Sequence, residues 1–502
     1  MSAELIEQGS AAPGAKGLRG GALGLLSSVV IGVASTAPAY STAATIGLVV
    51  AILGVHTPGI LIASFVPMLL VAFAFKEFNS VDPDCGTTFS WVTRAFGPRS
   101  GWLSGWAMVA ACVVVMSSVS QVAAQYTFLL FGADSLAGNQ FWVTVLGVGF
   151  IALLTWICYL GIEISARLQS LLLVIELVTV VSFAVVALVK VYAGHGMAAA
   201  QHPGLGWFNP LHGSFGDISD AALLTIFIYW GWDTSLSLNE ETEDSTATPG
   251  RAAVIATLLL VTVFALVGTA MVAFAGPHFL STHSGDVLGA LGPAVFGSGA
   301  GKLLVLCVLT STAASTQTTI MPTARATLSM GAHGALPRRF AQVHPRLMTP
   351  DFSTIAMGAI SAALFVAMST VSTNVLADSA SAVGLLIAFY YGMTALACTW
   401  YFRRTLTEST RNLWLRGILP LLGGLSMIIA FGLSVKSYLP ASSSYSSILG
   451  VGGVFWLGAG SLLLGVILIV ALRGSQRSFF ARRAAVYPET TMTPVVTTTE
   501  LV

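Results

Sequence analysis

Tyr229-Trp230-Gly231-Trp232-Asp233 decides how this chain folds, because it sets a glycine and an acid in the middle of an otherwise apolar run, residues 219–239. A second interruption lies near the start, where Ala34-Ser35-Thr36-Ala37-Pro38 falls inside the apolar stretch 21–50. Proline removes a backbone donor and clashes with the preceding helical turn. Around these stretches 55% of the 502 residues are hydrophobic, only 9% are charged, and the mean hydropathy is +0.84. Soluble domains carry about 25% charged residues, so these runs are built to face lipid. Non-helical backbone at membrane depth persists only where it is buried in protein or lines a wet cavity. A matched pair of interrupted helices, one in each half, is the sequence pointer to a binding site between the halves.

A helix crossing about 30 Å of hydrocarbon needs about 20 apolar residues. Such runs recur at 21–50, 57–75, 101–131, 141–160, 166–190, 219–239, 251–275, 300–329, 352–370, 375–402, 414–435 and 448–472. The first, third and eighth exceed a straight crossing, which implies tilt or a break. With the N-terminus in the cytoplasm and connections assigned alternately, 19 of the 22 Lys and Arg fall on the cytoplasmic side, leaving only Lys190, Lys302 and Lys436 outside. Positive residues mark the cytoplasmic loops. The expectation is an all-α polytopic protein of the cytoplasmic (inner or plasma) membrane, with 12 transmembrane helices and both termini cytoplasmic.

The interrupted first and sixth spans are five apart. That suits two five-helix repeats of inverted topology, a 5+5 inverted-repeat fold over 21–190 and 219–402, joined by an outer loop at 191–218. Two extra helices follow in 403–472, and the tails are 1–20 and 473–502. No cleavable signal peptide is expected, since Glu4, Glu7 and Gln8 precede a first apolar run that is too long. The Thr-rich residues 488–502 read as a short disordered tail.

Other function classes find little support. A net charge of +1, with no basic run before the loops, gives no sign of nucleic acid. Cys85, Cys112, Cys158, Cys307 and Cys398 are odd in number and scattered, which fits neither a disulfide framework nor a metal site. Nothing in the chain matches a Walker loop, a His-Glu-x-x-His pair or a Gly-x-Ser-x-Gly elbow, so no enzyme and no cofactor are expected. Nor does any filter-like motif repeat, as an ion channel would need.

Four ordered stretches resemble the amino acid–polyamine–organocation superfamily of secondary transporters. The segment Asp82-Pro83-Asp84-Cys85-Gly86-Thr87-Thr88-Phe89, running on to Phe96-Gly97-Pro98, is similar to its Pro-x-x-Gly-Gly-x-Tyr…Phe-Gly-Pro segment. Gly161-Ile162-Glu163-Ile164-Ser165-Ala166-Arg167 resembles its Gly-x-x-x-Ser-Ala-Arg/Lys start of the fifth helix. Residues 227–241 with Pro249 and Arg251 are similar to its sixth-helix pattern, and Ala324-Arg325 with Gly334-Ala335-Leu336-Pro337 to its close after the eighth.

The resemblance implies a leucine-transporter-type fold, substrate held between the first and sixth helix breaks, and proton coupling or exchange. Three departures matter. Ser35-Thr36-Ala37 with Pro38 stands where the family usually has Gly-x-Gly, which weakens carboxylate capture. Glu176 stands where many proton-coupled members have lysine, and Ala332-His333 where Arg-Asp is common, which puts a family-type inner gate there in doubt.

From these readings Ala34, Ser35, Thr36, Ala37, Phe227, Trp230, Gly231 and Asp233 are the expected substrate-binding residues. Trp232 joins the aromatics around the break, whose faces either cover a substrate group or simply pack. Asp233 either attracts a substrate amine or caps the second half-helix. Between Arg167 at the start of its span and Lys190 at the end, Glu176 has no cation beside it in sequence. Such an acid costs about 2.5–3.5 kcal/mol at a helix centre and is disfavoured in its ionised form. It is the expected proton carrier, the alternative being a neutral acid bonded to a neighbouring helix, and Gln169 on nearly the same face extends its polar path.

Ser117, Gln121 and Gln125 draw one polar stripe at four-residue spacing, and Ser311, Ser315 and Thr319 another. Both read as cavity lining or as glue between helices. Arg325 is expected to meet Glu240 or Glu241 in an inner gate, while Glu240-Glu241-Thr242-Glu243-Asp244 reads chiefly as a solvated loop. The expected function is proton-coupled transport of an amino acid by alternating access, with the lipid bilayer, protons and a small-molecule substrate as partners. The alternatives are a polyamine or other organic amine as substrate, or a transporter-like sensor. Oligomeric state is not legible.

Overall fold

Proline and capping residues set where the helices begin. Pro38, Pro58, Pro98 and Pro249 stand in the first turns of their helices, where a missing N–H breaks no intrahelical bond. Ser214 and Asp217 close a reciprocal capping box. Asn139, Asp286 and Asn374 accept first-turn N–H groups with their side chains.

The computed structural model describes residues 16–484 apart from 298, 300 and 373, with 162–166 and 168 described by backbone alone. The expected disordered tail, residues 488–502, lies outside the described residues, as do 1–15 of the N-terminal segment. The principal helices are α1 Leu25–Thr36, α2 Pro38–Leu53, α3 Thr57–Val81, α4 Thr88–Phe96 and α5 Pro98–Leu130. Then come α6 Gln140–Leu160, α7 Ile162–Tyr192, α8 Phe215–Ile228, α9 Thr234–Ser237, α10 Thr248–Thr282 and α11 Val287–Phe296. The series ends with α12 Gly301–Ala332, α13 Asp351–Val371 and α14 Val375–Tyr401, then α15 Thr410–Ser437 and α16 Gly453–Leu472.

Among the described residues 10 helical stretches are long and apolar enough to cross a membrane, against the 12 expected. The difference lies at the interruptions. The stretch Leu25–Val81 runs for 57 residues through breaks at Ala37 and Gly54, and the expected sixth span divides into α8 and the four-residue α9. The expected twelfth span starts later than residue 448, because Ser447–Ile448 pairs with Val451–Gly452 in a small antiparallel hairpin, a minor exception to an all-α fold. A further kink at Gly276 (φ 75°) divides α10 before Pro277.

Central α5 is almost wholly enclosed, whereas α15 and α16 leave most of their surface outward. α14 and α12 pack along α5, α1 and α2 lie against α10, and α8 sits among α2, α3 and α14. The two broken segments, α1/α2 and α8/α9, therefore meet in the middle of the bundle.

Candidate functional site

Both expected interruptions are true breaks. α1 ends at Thr36, Ala37 takes the left-handed conformation (φ 48°, ψ 66°), and Pro38 starts α2. That conformation costs a non-glycine residue about 1–2 kcal/mol, so the packing around it must hold it. In the second segment the helix stops at Ile228, Gly231 has φ 129°, and α9 begins at Thr234. A Cβ on Gly231 would lie 2.6 Å from Ser35 C and 2.7 Å from Thr36 N. The second break thus touches the first, backbone to backbone, and only glycine allows it. Ser35 Oγ and Thr234 Oγ1 close the junction at 2.8 Å. The structure thus brings Gly231 against the Ser35–Thr36 backbone, with Ala34 and Ala37 on either side in sequence.

Glu176, wholly buried at the middle of α7, reaches the start of α2. Its Oε1 accepts the Ala39 N–H at 2.7 Å and the Ser311 hydroxyl at 2.7 Å. The same Ser311 oxygen accepts the Tyr40 N–H at 3.1 Å. Glu176 and Ser311 therefore satisfy the first donors of α2, where the helix dipole favours an acid. Oε2 of Glu176 has no hydrogen-bond partner among the described residues. Gln169, two turns away, donates to Ala314 O at 2.9 Å and to Gln317 Oε1 at 2.6 Å, which ties α7 to α12.

Asp233 does not cap α9 with its side chain. Its Oδ2 accepts from the Tyr390 hydroxyl at 3.0 Å, and the Tyr390 hydroxyl oxygen in turn accepts from Trp230 Nε1 at 2.5 Å. The Phe227 ring meets Tyr40 edge-on at 6.5 Å, and the Tyr40 hydroxyl donates to Ser118 Oγ at 2.9 Å. Trp232 turns away into packing with Phe75 and Tyr391. Neither Glu176 nor Asp233 has an ion-pair partner among the described residues. Tyr390 and Tyr40 escaped the sequence reading because each sits in an apolar run that reads as packing.

The polar stripes divide. Gln121, Gln125 and Tyr126 of α5 line a cavity of 590 Å³ at the end of the bundle where α5 finishes, together with Asp286 and Asn374. The Asp286 carboxylate accepts from the Tyr126 hydroxyl and from Gly289 N–H at 2.8 Å. Burial pushes its carboxyl up against those bonds. Ser117, one turn deeper, is buried with no polar partner among the described residues and is not part of the cavity wall. On α12, Ser311 joins the site through Glu176 and the Tyr40 N–H. Thr319 donates back to Ser315 O at 2.7 Å, within its own helix.

The opposite end is closed by charge. Arg325 forms a two-point pair with Glu241, one contact being Nη2 to Oε1 at 2.9 Å. Glu240 is not its partner: residues 239–241 form a 3₁₀ turn, so successive side chains diverge by about a third of a circle. Instead Glu240 Oε1 accepts from Lys16 Nζ at 2.6 Å and from Cys85 N–H at 2.9 Å. Lys16 also pairs with Asp84 Oδ2 at 2.9 Å. The acidic run is thus no solvated loop at its start. Glu241 is buried, and only Glu243 and Asp244 are exposed.

Asp84 Oδ1 collects Gly86 N–H, Ser90 and Ser329, and His333 Nε2 lies 3.5 Å from Oδ2. The position that departs from the family pattern therefore joins the closure. Leu23 hydrogen-bonds both Glu241 O and Glu243 N–H, strapping the N-terminal segment to it. Burial opposes the charge of Lys16, but Asp84 and Glu240 outweigh it and hold the ammonium above its ordinary range. Burial likewise opposes the Asp84 charge, and Lys16 outweighs it, holding Asp84 below the carboxylate range. Asp84, Cys85 and Glu240 bring ligand atoms within 4.8 Å of one another, yet the Lys16 ammonium already occupies that cluster. Lys16 was missed because a lone lysine 69 residues from Cys85 leaves no local pattern.

Residues 22–470 match the family model described as amino acid permease. The branched-chain amino acid permease BcaP of Lactococcus lactis subsp. cremoris is 25% identical over 406 residues, spanning 76% of this chain and 83% of that protein. The low-affinity putrescine importer PlaP of Escherichia coli is 22% identical over 395 residues, spanning 76% and 82%. The crystal structure of MhsT in complex with L-phenylalanine matches with a TM-score of 0.54 at 17% identity, over 82% of this chain and 97% of that one. At that identity the likeness is one of fold. The molecule is a secondary transporter of a small polar solute and not an enzyme. With a family match across nearly its whole length, the chain belongs to the amino acid permease family of the amino acid–polyamine–organocation superfamily.

Proposed function

We propose that this permease moves an amino acid across the cytoplasmic membrane by proton-coupled alternating access, with substrate held between the two breaks and Glu176 as the coupling carboxyl. The observation that carries the reading is the position of Glu176. Its Oε1 holds the Ala39 N–H of α2 and the Ser311 hydroxyl, Oε2 has no partner among the described residues, and the group links α7, α12 and the α1/α2 break at once. A carboxyl that gains or loses a proton there changes how tightly α2 is held, which is what coupling requires. Substrate would lie against Ser35, Gly231, Phe227 and Asp233.

Twelve crossings support this cycle best, with the Leu25–Val81 stretch counted as two and α8/α9 as one broken crossing. The repeats are then residues 21–190 and 219–402, and α15 and α16 are additions. With both termini cytoplasmic, the Lys16 and Arg325 closure is the inner gate and the 590 Å³ cavity the outer vestibule. Inward opening requires both ion-pair sets to part.

A second reading, an organic amine as substrate, is favoured by Asp233, a buried acid at the break with no ion-pair partner among the described residues, and by the relative named as a putrescine importer. The test is uptake of labelled amino acids and polyamines by the purified protein in liposomes, with an inward proton gradient, a sodium gradient or none. Proton-driven accumulation of an amino acid supports the proposal. Accumulation of polyamines alone selects the second reading, sodium dependence removes proton coupling, and saturable binding without accumulation makes the chain a sensor.

A further inference from the structure

After α16 the chain folds back onto the closed end. It makes a short helix, Arg477–Phe480, from which Phe479 is completely buried in a cluster with Phe89, Trp102, Met330 and Ala335. The Phe479 ring lies nearly parallel to that of Phe89, with centroids 5.6 Å apart. Phe89 in turn meets His333 edge-on at 5.7 Å. Arg482 Nη2 donates to His333 O at 2.9 Å, and its guanidinium lies 5.4 Å from the Phe479 ring centroid. One aromatic side chain and one hydrogen bond thus fix the segment to two elements, α4 and the end of α12.

Those two elements hold Asp84 between them. Ser90 of α4 donates to Asp84 Oδ1 at 2.8 Å, and Ser329 of α12 donates to the same oxygen at 2.6 Å. Oδ2 is thereby turned to Lys16, 2.9 Å away. Opening the seam between α4 and α12 would part the two hydroxyls, and the carboxylate would lose the orientation that meets the ammonium. Phe479 fills that seam, and a buried phenylalanine is among the costlier side chains to remove.

We propose that residues 477–482 are a latch that sets the strength of the Lys16–Asp84 closure, with Phe479 and Arg482 as positioning residues. The inference rests on that closure being a gate. The test follows alkylation of Cys85, which lies beside Lys16, by a permeant maleimide in the full chain with its other cysteines replaced by Ala. A companion protein keeps only Cys398, buried near the end of α14. Phe479→Ala should raise Cys85 labelling roughly three- to tenfold, the worth of one aromatic pair, and leave Cys398 at the parent rate. Arg482→Met should give a smaller rise, and Arg483→Gln, at an exposed neighbour, none. Added to Lys16→Met, Phe479→Ala should raise labelling little further, because both act through one pair. Unchanged labelling in Phe479→Ala beside a raised rate in Lys16→Met overturns the latch alone. An equal rise at Cys398 makes Phe479 a packing residue, and full additivity in the double variant makes its effect independent of Asp84; either overturns the proposal. A parent rate in Lys16→Met removes the gate, and the latch with it.

Discussion

Replacing Lys16 by Met keeps the length of the side chain and removes the charge that holds Asp84 and Glu240 together. Removing one partner from a buried ion pair costs about 3–5 kcal/mol. Here the loss is smaller, because Asp84 keeps Gly86 N–H, Ser90 and Ser329, and Glu240 keeps Cys85 N–H. A figure of about 2 kcal/mol is reasonable after those bonds are allowed for, and it corresponds to a rise of roughly 30-fold in the open fraction. Cys85, buried directly beside Lys16 at 3.7 Å, is a built-in reporter. With Cys112, Cys158, Cys307 and Cys398 replaced by Ala, its alkylation by a permeant maleimide measures opening. Burial pushes the Cys85 thiol up and Lys16 pulls it back down, so losing Lys16 makes the thiol intrinsically less reactive. A faster reaction in Lys16→Met can then come only from exposure. Lys16→Arg should stay near the parent rate. Labelling of Lys16→Met within twofold of the parent would refute the ion-pair closure.

Three further outcomes are expected. Gly231→Ala forces a Cβ to within 2.6 Å of the Ser35 backbone; uptake should fall by more than about tenfold while size-exclusion profiles stay normal, since the strain is at the break. Uptake within twofold of the parent contradicts the close approach. Ser311→Ala removes a donor to Glu176 and the acceptor of the Tyr40 N–H, a loss of about 1–3 kcal/mol, so gradient-driven accumulation should drop more than substrate binding; an equal drop in both makes Ser311 a packing residue.

The third concerns pH. The contribution of Asp84, held below its ordinary range, is present above that range and lost as pH falls through its lowered value. The contribution of Lys16, held above its ordinary range, is present below that range and lost as pH rises through its raised value. Asp82 beside them, its carboxyl pushed up to about 6 by burial, titrates below neutrality, so hydrogen-exchange protection of residues 82–90, corrected for intrinsic rates, should be flat only between about pH 7.5 and 9. A midpoint inside that window contradicts the assignment.

The membrane fold was legible because crossing lipid imposes a length. The third run was expected over 101–131 and α5 spans Pro98–Leu130; the tenth was expected over 375–402 and α14 spans Val375–Tyr401. Pro38 and Gly231 announced the breaks because each disturbs a helix by its own covalent structure. Glu176 stood out as an acid in apolar surroundings, though its partners, the Ala39 N–H and Ser311, come from distant parts of the chain.

Tertiary contacts without a local period stayed hidden. Lys16 is 224 residues from Glu240, and nothing in its neighbours marks it as a strap. The choice between Glu240 and Glu241 depends on the direction of two consecutive side chains in a 3₁₀ turn, which charge pattern alone does not fix. The hairpin at 447–452 is hidden in an apolar run, since a short run reads equally as helix or strand.

The most direct test of the central claim is uptake by Glu176→Gln in liposomes beside the parent protein, with binding of the same substrate measured separately. The expected result is retained binding with loss of accumulation driven by a proton gradient. Accumulation equal to the parent under the same gradient would make Glu176 a structural acid that only holds α2, and proton coupling through it would be wrong.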